Sequence, residues 1–228
     1  MVIIEPMPKL LLLIDDPNEY VHLLQVENLP GLEIFTEFNP ECDILFGGTG
    51  RIKDALPNLP RLKWVQTISA GVERLMDPSL RRDYTLTNAR NVFGESMSEF
   101  VFGYLLFFKK RIRPRVLAQR ARQWDDKDGG VLRGETIGLL GVGSIGAHLA
   151  RTAKHFRMNV RGFTRSSEDC LDVDAYYHGN DLLNFADGLD YLVSVLPRTD
   201  GTNQIVDASL LNGLPPHAIF VNVGRGNA

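Results

Sequence analysis

Residues 137–146 read IGLLGVGSIG, and on their reading the fold turns. An apolar run of strand length ends in a glycine-rich turn, with Gly141, Gly143 and Gly146 at the GxGxxG spacing and Ser144 and Ile145 between the last two. Small residues Ala147 and Ala150 follow within an amphipathic pattern. Each glycine serves a physical purpose. One makes the tight turn, one lets a pyrophosphate approach the backbone, and one lets the helix pack on the strand. Strand, glycine turn and helix together predict a dinucleotide site, with free N–H groups at the helix start facing the phosphates.

Downstream, the next strand and its exit read NVRGFTRSSED from residue 159. An NAD site wants an acid at this strand end to accept from the ribose 2′-hydroxyl. Thr164 stands there instead, followed by Arg165, Ser166 and Ser167. Without a carboxylate a 2′-phosphate is not repelled, and Arg165 and the serine hydroxyls can bind it. NADP is the expected cofactor; NAD remains the alternative if Glu168 turns back to the ribose.

Outward from this core, strand-length apolar runs recur on both sides. They lie at 10–14, 32–38, 43–48, 62–69 and 84–89, then at 136–141, 159–163, 190–196 and 218–223. Helical patterns separate several of them: after Pro17, from Ser144 to about His155, over DLLNFA, and from Asp207 to Leu211. Strand alternating with helix predicts an α/β chain with parallel sheets.

A different element starts near residue 95. In ESMSEFVFGYLLFFKK, Ser96 and Glu99 have capping-box spacing, and apolar residues surround the axis. Such a helix is expected to be buried, between domains or between subunits. It runs into KKRIRPRVLAQRAR, with seven Lys or Arg in fourteen residues, read as a solvated helix end rather than a nucleic-acid patch.

The 228 residues carry a net charge of −3, with 44% hydrophobic and 23% charged residues. That balance suits a globular protein and argues against nucleic acid or an anionic membrane as partner. Cys42 and Cys170 are far apart, without CxxC or metal-ligand spacing, and read as reduced thiols. The N-terminus has no basic leader and no apolar run long enough to span a bilayer, so the expected location is cytoplasmic.

Taken in order, the motifs resemble those of the D-isomer-specific 2-hydroxyacid dehydrogenase family, most closely its glyoxylate/hydroxypyruvate reductase branch. The motifs are ISAGVE at 68–73, TNA at 87–89, SMSEFVFGYLL at 96–106, LRGETIGLLGVGSIG at 132–146, LPRTDGTNQIV at 196–206 and FVNVGRG at 220–226. The resemblance implies a flavodoxin-like substrate domain at 1–100 and an incomplete Rossmann domain at 101–228. It implies that the turn of Ala70, Gly71 and Val72 holds a substrate carboxylate through backbone N–H groups, with Phe46, Gly47 and Gly48 beside it. Leu196, Pro197 and Thr202 would line the cofactor's riboses, and Asn222, Val223 and Gly224 its nicotinamide. Arg225 would bind the acid and polarise the ketone of a small 2-oxo acid.

The family's general acid, a histidine in a Thr-Pro-His motif oriented by a glutamate, has no match in these 228 residues. His217 matches a turn rather than the acid, and the chain is expected to be part of a longer protein. The resemblance also implies a homodimer through the helix near residues 97–110, burying Phe100, Tyr104 and Phe107. No metal is expected. A dinucleotide-binding sensor or scaffold without turnover is the alternative.

Overall fold

A computed structural model describes residues 7–228. Residues 1–6, part of the stretch read above as lacking a leader, lie outside the described residues. The chain divides after Arg90 into two compact units.

The first unit runs β1 (Lys9–Leu13), α1 (Pro17–Val26), β2 (Glu33–Phe35), β3 (Ile44–Gly47), α2 (Thr49–Ala55), β4 (Trp64–Thr67) and β5 (Thr85–Thr87). The strands pair in parallel in the order β2-β1-β3-β4-β5. This is the flavodoxin-like order. Leu11, Leu45 and Val65 are fully buried on the central strands and pack with Ile52, Leu56 and Leu75. Helix α1 starts where Asp16 caps the Asn18 N–H and Pro17 occupies the first turn.

The second unit runs α3 (Gly94–Lys109), α4 (Ile112–Arg120), β6 (Thr136–Leu140), α5 (Ser144–His155), β7 (Asn159–Thr164), β8 (Ala175–His178), α6 (Leu182–Ala186), β9 (Tyr191–Ser194), α7 (Ala208–Gly213) and β10 (Ile219–Asn222). Its sheet is again all parallel, ordered β10-β9-β6-β7-β8. Counted from β6, this is the Rossmann order 3-2-1-4-5. A sixth strand is not among the described residues. Buried Leu149, Ala150 and Ala153 seat α5 on this sheet.

Several expectations need correction. The unit boundary falls at 90/91 rather than 100/101. All of α3 belongs with the second unit, because Val101, Phe102 and Leu105 are buried in its core with Leu149 and Ala153 of α5. The capping box at Ser96 and Glu99 does not form. The helix begins earlier, with Phe93 at the N-cap, so Ser96 lies inside the first turn and its hydroxyl donates to the Phe93 carbonyl at 3.3 Å. Nor is α3 covered all round within the chain: Phe100, Tyr104 and Phe108 are about half exposed. The basic run forms the separate helix α4, set off by Arg111 in the left-handed region (φ 54°). Strands shorten to three to six residues, and β8 and α2 were not anticipated. No described helix is long and apolar enough to cross a membrane.

Candidate functional site

In a parallel sheet all strands end at one edge, and ligands bind there, beside the strand where the order reverses. In the second unit that strand is β6, flanked by β7 and β9. Its exit is the glycine turn. Gly141 has φ +94°, which a side chain would strain, and its N–H donates to the Phe163 carbonyl at 2.9 Å. Gly143 is the N-cap of α5, exposed, with open space where a Cβ would stand. No side chain caps this helix start, so the N–H groups around Ser144 and Ile145 keep their binding capacity for an anion. Gly146 is buried and pressed against the Gly141 carbonyl, bringing α5 onto β6.

The neighbouring strands bring the other predicted cofactor residues to the same edge. Thr164 ends β7, with Arg165 and Ser166 exposed just beyond. Leu196 and Pro197 leave β9, the first buried and the second exposed. Thr202 staples that exit: its hydroxyl donates to the Pro197 carbonyl at 2.6 Å and accepts from the Thr199 N–H at 3.0 Å. Gly224 lies so close to Leu196 that a Cβ would meet its backbone at 2.6–2.8 Å. The turn after β10 is held by Asn222, whose side chain accepts from the Gly224 N–H and donates to the Arg225 carbonyl, both at 3.0 Å. The Val223 N–H donates to the Ser194 carbonyl at 3.0 Å. Arg225 follows on this turn, exposed, with a guanidinium N–H to the Gly224 carbonyl at 3.1 Å.

The residues expected on the substrate side gather in the first unit, also at the carboxyl edge of its sheet. Gly47 ends β3 opposite Thr67, the end of β4. Gly48 then starts α2, and Ala70, Gly71 and Val72 lie in the loop after β4. Phe46 turns its ring onto Tyr20 (5.2 Å) and lines an apolar cavity of about 660 Å3 with Leu23, Leu24 and Trp64.

Sequence reasoning missed the residues that pin this loop. Thr67 is fully buried; its hydroxyl accepts from the Ser69 N–H at 2.8 Å and donates to the Ser69 carbonyl at 3.0 Å. Asn88 donates to the Ala70 carbonyl at 2.6 Å. The TNA motif at 87–89 carried the signal for Asn88, but only pairing of β5 with β4 brings it to the loop.

The histidines sort themselves by position. His217 precedes β10, at the opposite edge, where Nε2 lies 2.9 Å from Asp190 Oδ1. His148 packs against Gly94, and His155 ends α5. His22 lies on α1. His178 does stand at the carboxyl edge, ending β8, but Arg225 follows β10 at the far side of the sheet. Four strand spacings, roughly 19 Å, separate them. Among the described residues no group of three or more His, Cys, Asp or Glu side chains is placed to hold a metal ion.

Comparison with known proteins agrees with this fold. The family model for the D-isomer specific 2-hydroxyacid dehydrogenase, NAD binding domain, matches residues 102–228. A solved D-isomer specific 2-hydroxyacid dehydrogenase family protein from Aeromonas salmonicida superposes with a TM-score of 0.91 at 40% identity, covering 97% of this chain and 74% of that one. Another, from Xanthobacter autotrophicus in complex with NADPH and MES, gives 0.82 at 26% identity, covering 97% and 73%. The glyoxylate/hydroxypyruvate reductase A of Serratia proteamaculans is 29% identical over 182 residues, 76% of this chain and 58% of that protein. The chain thus spans a little over half the length of such curated relatives. With more than half of its residues matched by the family model, and both sheets in the expected order, the chain belongs to the D-isomer specific 2-hydroxyacid dehydrogenase family.

Proposed function

We propose that the protein is an NADP-dependent reductase of small 2-oxo acids, with glyoxylate or hydroxypyruvate as substrate. The observation that carries the cofactor choice is the exit of β7: Thr164, Arg165 and Ser166 stand where an NAD site would present a carboxylate. The Xanthobacter relative, solved with NADPH, and the Serratia relative, named for glyoxylate and hydroxypyruvate, support the same reading.

The residues fit such a cofactor. The uncapped start of α5 and the open side of Gly143 suit a pyrophosphate, and Ser194 Oγ is buried at this edge without a hydrogen-bond partner. A bound nicotinamide cofactor would supply the hydride that reduces the ketone. The start of α5 would hold the phosphates, Arg165 and Ser166 the 2′-phosphate, and Leu196, Pro197 and Thr202 the riboses. Asn222, Val223 and Gly224 would border the nicotinamide. Arg225 would pair with the acid through its planar fork and stabilise charge growing on the carbonyl oxygen. The loop from Ala70 to Val72, beside Phe46, Gly47 and Gly48, would donate N–H groups to the carboxylate. In the second unit, His178 ends β8 at the far side of the sheet from Arg225, and His217 pairs with Asp190 at the opposite edge, so neither takes the place of the family's acid histidine. The protein would work in the cytoplasm as a homodimer, whose partner would cover the exposed stripe of Phe100, Tyr104 and Phe108.

Oxidation of NADPH with a panel of 2-oxo acids, by a protein spanning the full length of its relatives, tests the reading. Turnover with glyoxylate or hydroxypyruvate, lost in Arg225→Gln, is expected. Tight NADPH binding with no turnover on any acid would replace the enzyme by a dinucleotide-binding sensor.

A further inference from the structure

Glu168 is the carboxylate that could have served NAD, and the structure shows what it does instead. Its Oε1 lies 2.8 Å from His178 Nε2. The other ring nitrogen, Nδ1, lies 3.0 Å from the Thr164 carbonyl and 3.1 Å from Thr164 Oγ1. That hydroxyl donates its own proton to the Ser167 carbonyl at 2.7 Å, so it faces Nδ1 as an acceptor. Both nitrogens therefore face acceptors, which only the doubly protonated imidazolium satisfies. The Glu168 carboxylate, with the Thr164 carbonyl, raises the His178 pKa above its ordinary value. The β7–β8 ladder sets Thr164 directly beside His178, and the Tyr176 ring lies parallel to the imidazole at 6.3 Å.

We propose that His178 and Glu168 are positioning residues for cofactor choice. Charged His178 holds the Glu168 carboxylate off the ribose seat at Thr164, Arg165 and Ser166, leaving it open to a 2′-phosphate. Loss of the His178 proton releases the carboxylate to accept from a ribose 2′-hydroxyl and to repel a 2′-phosphate. The inference rests on reading the β7 exit as the ribose seat.

Apart from the exposed Arg165, the other charged groups around the pair have their own partners. From β7, Arg161 donates to the Asp187 carbonyl at 2.6 Å and lies over the Tyr177 ring. On the turn, Asp169 accepts from Ser167 at 2.8 Å, and Arg165 is exposed. At the start of α6, Asp181 accepts from Asn184. Tyr176, whose pKa is raised by burial, exchanges hydrogen bonds with the Cys170 backbone and stays neutral. Glu168 is thus the charged partner in contact with the imidazole.

A raised histidine pKa means the clamp is closed below that pKa and opens as pH climbs through it. The 2′-phosphate has its own second pKa near 6, so the titration is followed upward from about pH 7, where that phosphate is already largely a dianion. The test is the ratio of NADPH to NADH affinity, read by nicotinamide fluorescence titration from that pH upward. In the parent the ratio should fall with rising pH by about fivefold, as one carboxylate charge approaches a dianion in a water-like medium. Glu168→Gln should keep a high, level ratio, and His178→Gln a low, level one. A role confined to fold integrity would weaken both cofactors together and leave the ratio level in the parent. A level parent ratio favouring NADPH, or a Glu168→Gln variant that keeps the slope, overturns the inference while the NADP reading stands. Preference for NADH at every pH, or binding of neither cofactor, overturns both.

Discussion

Adding one methyl group at either of two glycines in the same turn should produce opposite phenotypes. At Gly146 an ideal Cβ would lie 3.2 Å from the Gly141 carbonyl carbon and closer still to its oxygen, against backbone that cannot swing away. Ordinary contact between carbons is about 3.5–4.0 Å, and the oxygen is the tighter contact, so α5 would have to retreat by more than about half an ångström. That shift loosens Leu149, Ala150 and Ala153, all fully buried on the inner face of α5. Overpacking of this kind costs about 1–3 kcal/mol, a fall of roughly 3–10 °C in Tm for a unit of this size. Gly146→Ala should therefore melt earlier, and because the helix start moves, NADPH and NADH should both bind more weakly. At Gly143 the same methyl meets nothing within 4 Å, and its φ of −85° suits alanine. Gly143→Ala should keep or slightly raise Tm, since alanine narrows the unfolded ensemble by up to about 1 kcal/mol. It should nonetheless lose about tenfold or more in affinity for both cofactors, the space it fills being the approach to the α5 N–H groups. Thermal melts by circular dichroism and fluorescence titration on the same preparations decide. A Gly143→Ala variant that binds like the parent would refute the pyrophosphate seat, and an undiminished Tm in Gly146→Ala would refute the close helix–strand approach.

Arg165→Ala should weaken NADPH by about 1.5–3 kcal/mol, the worth of a charged hydrogen bond, and leave NADH nearly unchanged; equal loss for both, by isothermal titration calorimetry, rules out the 2′-phosphate contact. His217→Ala removes an exposed partner of Asp190 at the wrong edge of the sheet, so it should cost under about 1 kcal/mol in a thermal melt and spare turnover. A large loss of kcat with intact stability would make His217 the acid after all. Phe100 and Tyr104 pack on each other at 4.9 Å and are about half exposed on α3. Phe100→Asp should shift a protein of its relatives' full length from dimer to monomer in light scattering, and such a parent that is already monomeric defeats the dimer proposal.

The parts of this protein written locally were legible in the sequence. The GxGxxG spacing needs only neighbours in the chain to specify a turn, and α5 spans the residues read from it. The alternation of apolar runs and helical patterns likewise determined two parallel sheets, because buried strands must be apolar wherever they finally pair. What depended on distant pairing was not legible. β8 is partly exposed along its whole length, carries AYYH, and exists because Asn159–Thr164 offers it an edge. Gly94 opens α3, and Ser96 lost its cap, where His148 of another helix packs so closely that a side chain at 94 would meet its ring. The role of Glu168 was likewise undecided. In the chain it is a free acid four residues past Thr164, able to reach the ribose. Strand pairing sets His178 beside Thr164, and a nearby cation outcompetes a neutral hydroxyl for a carboxylate.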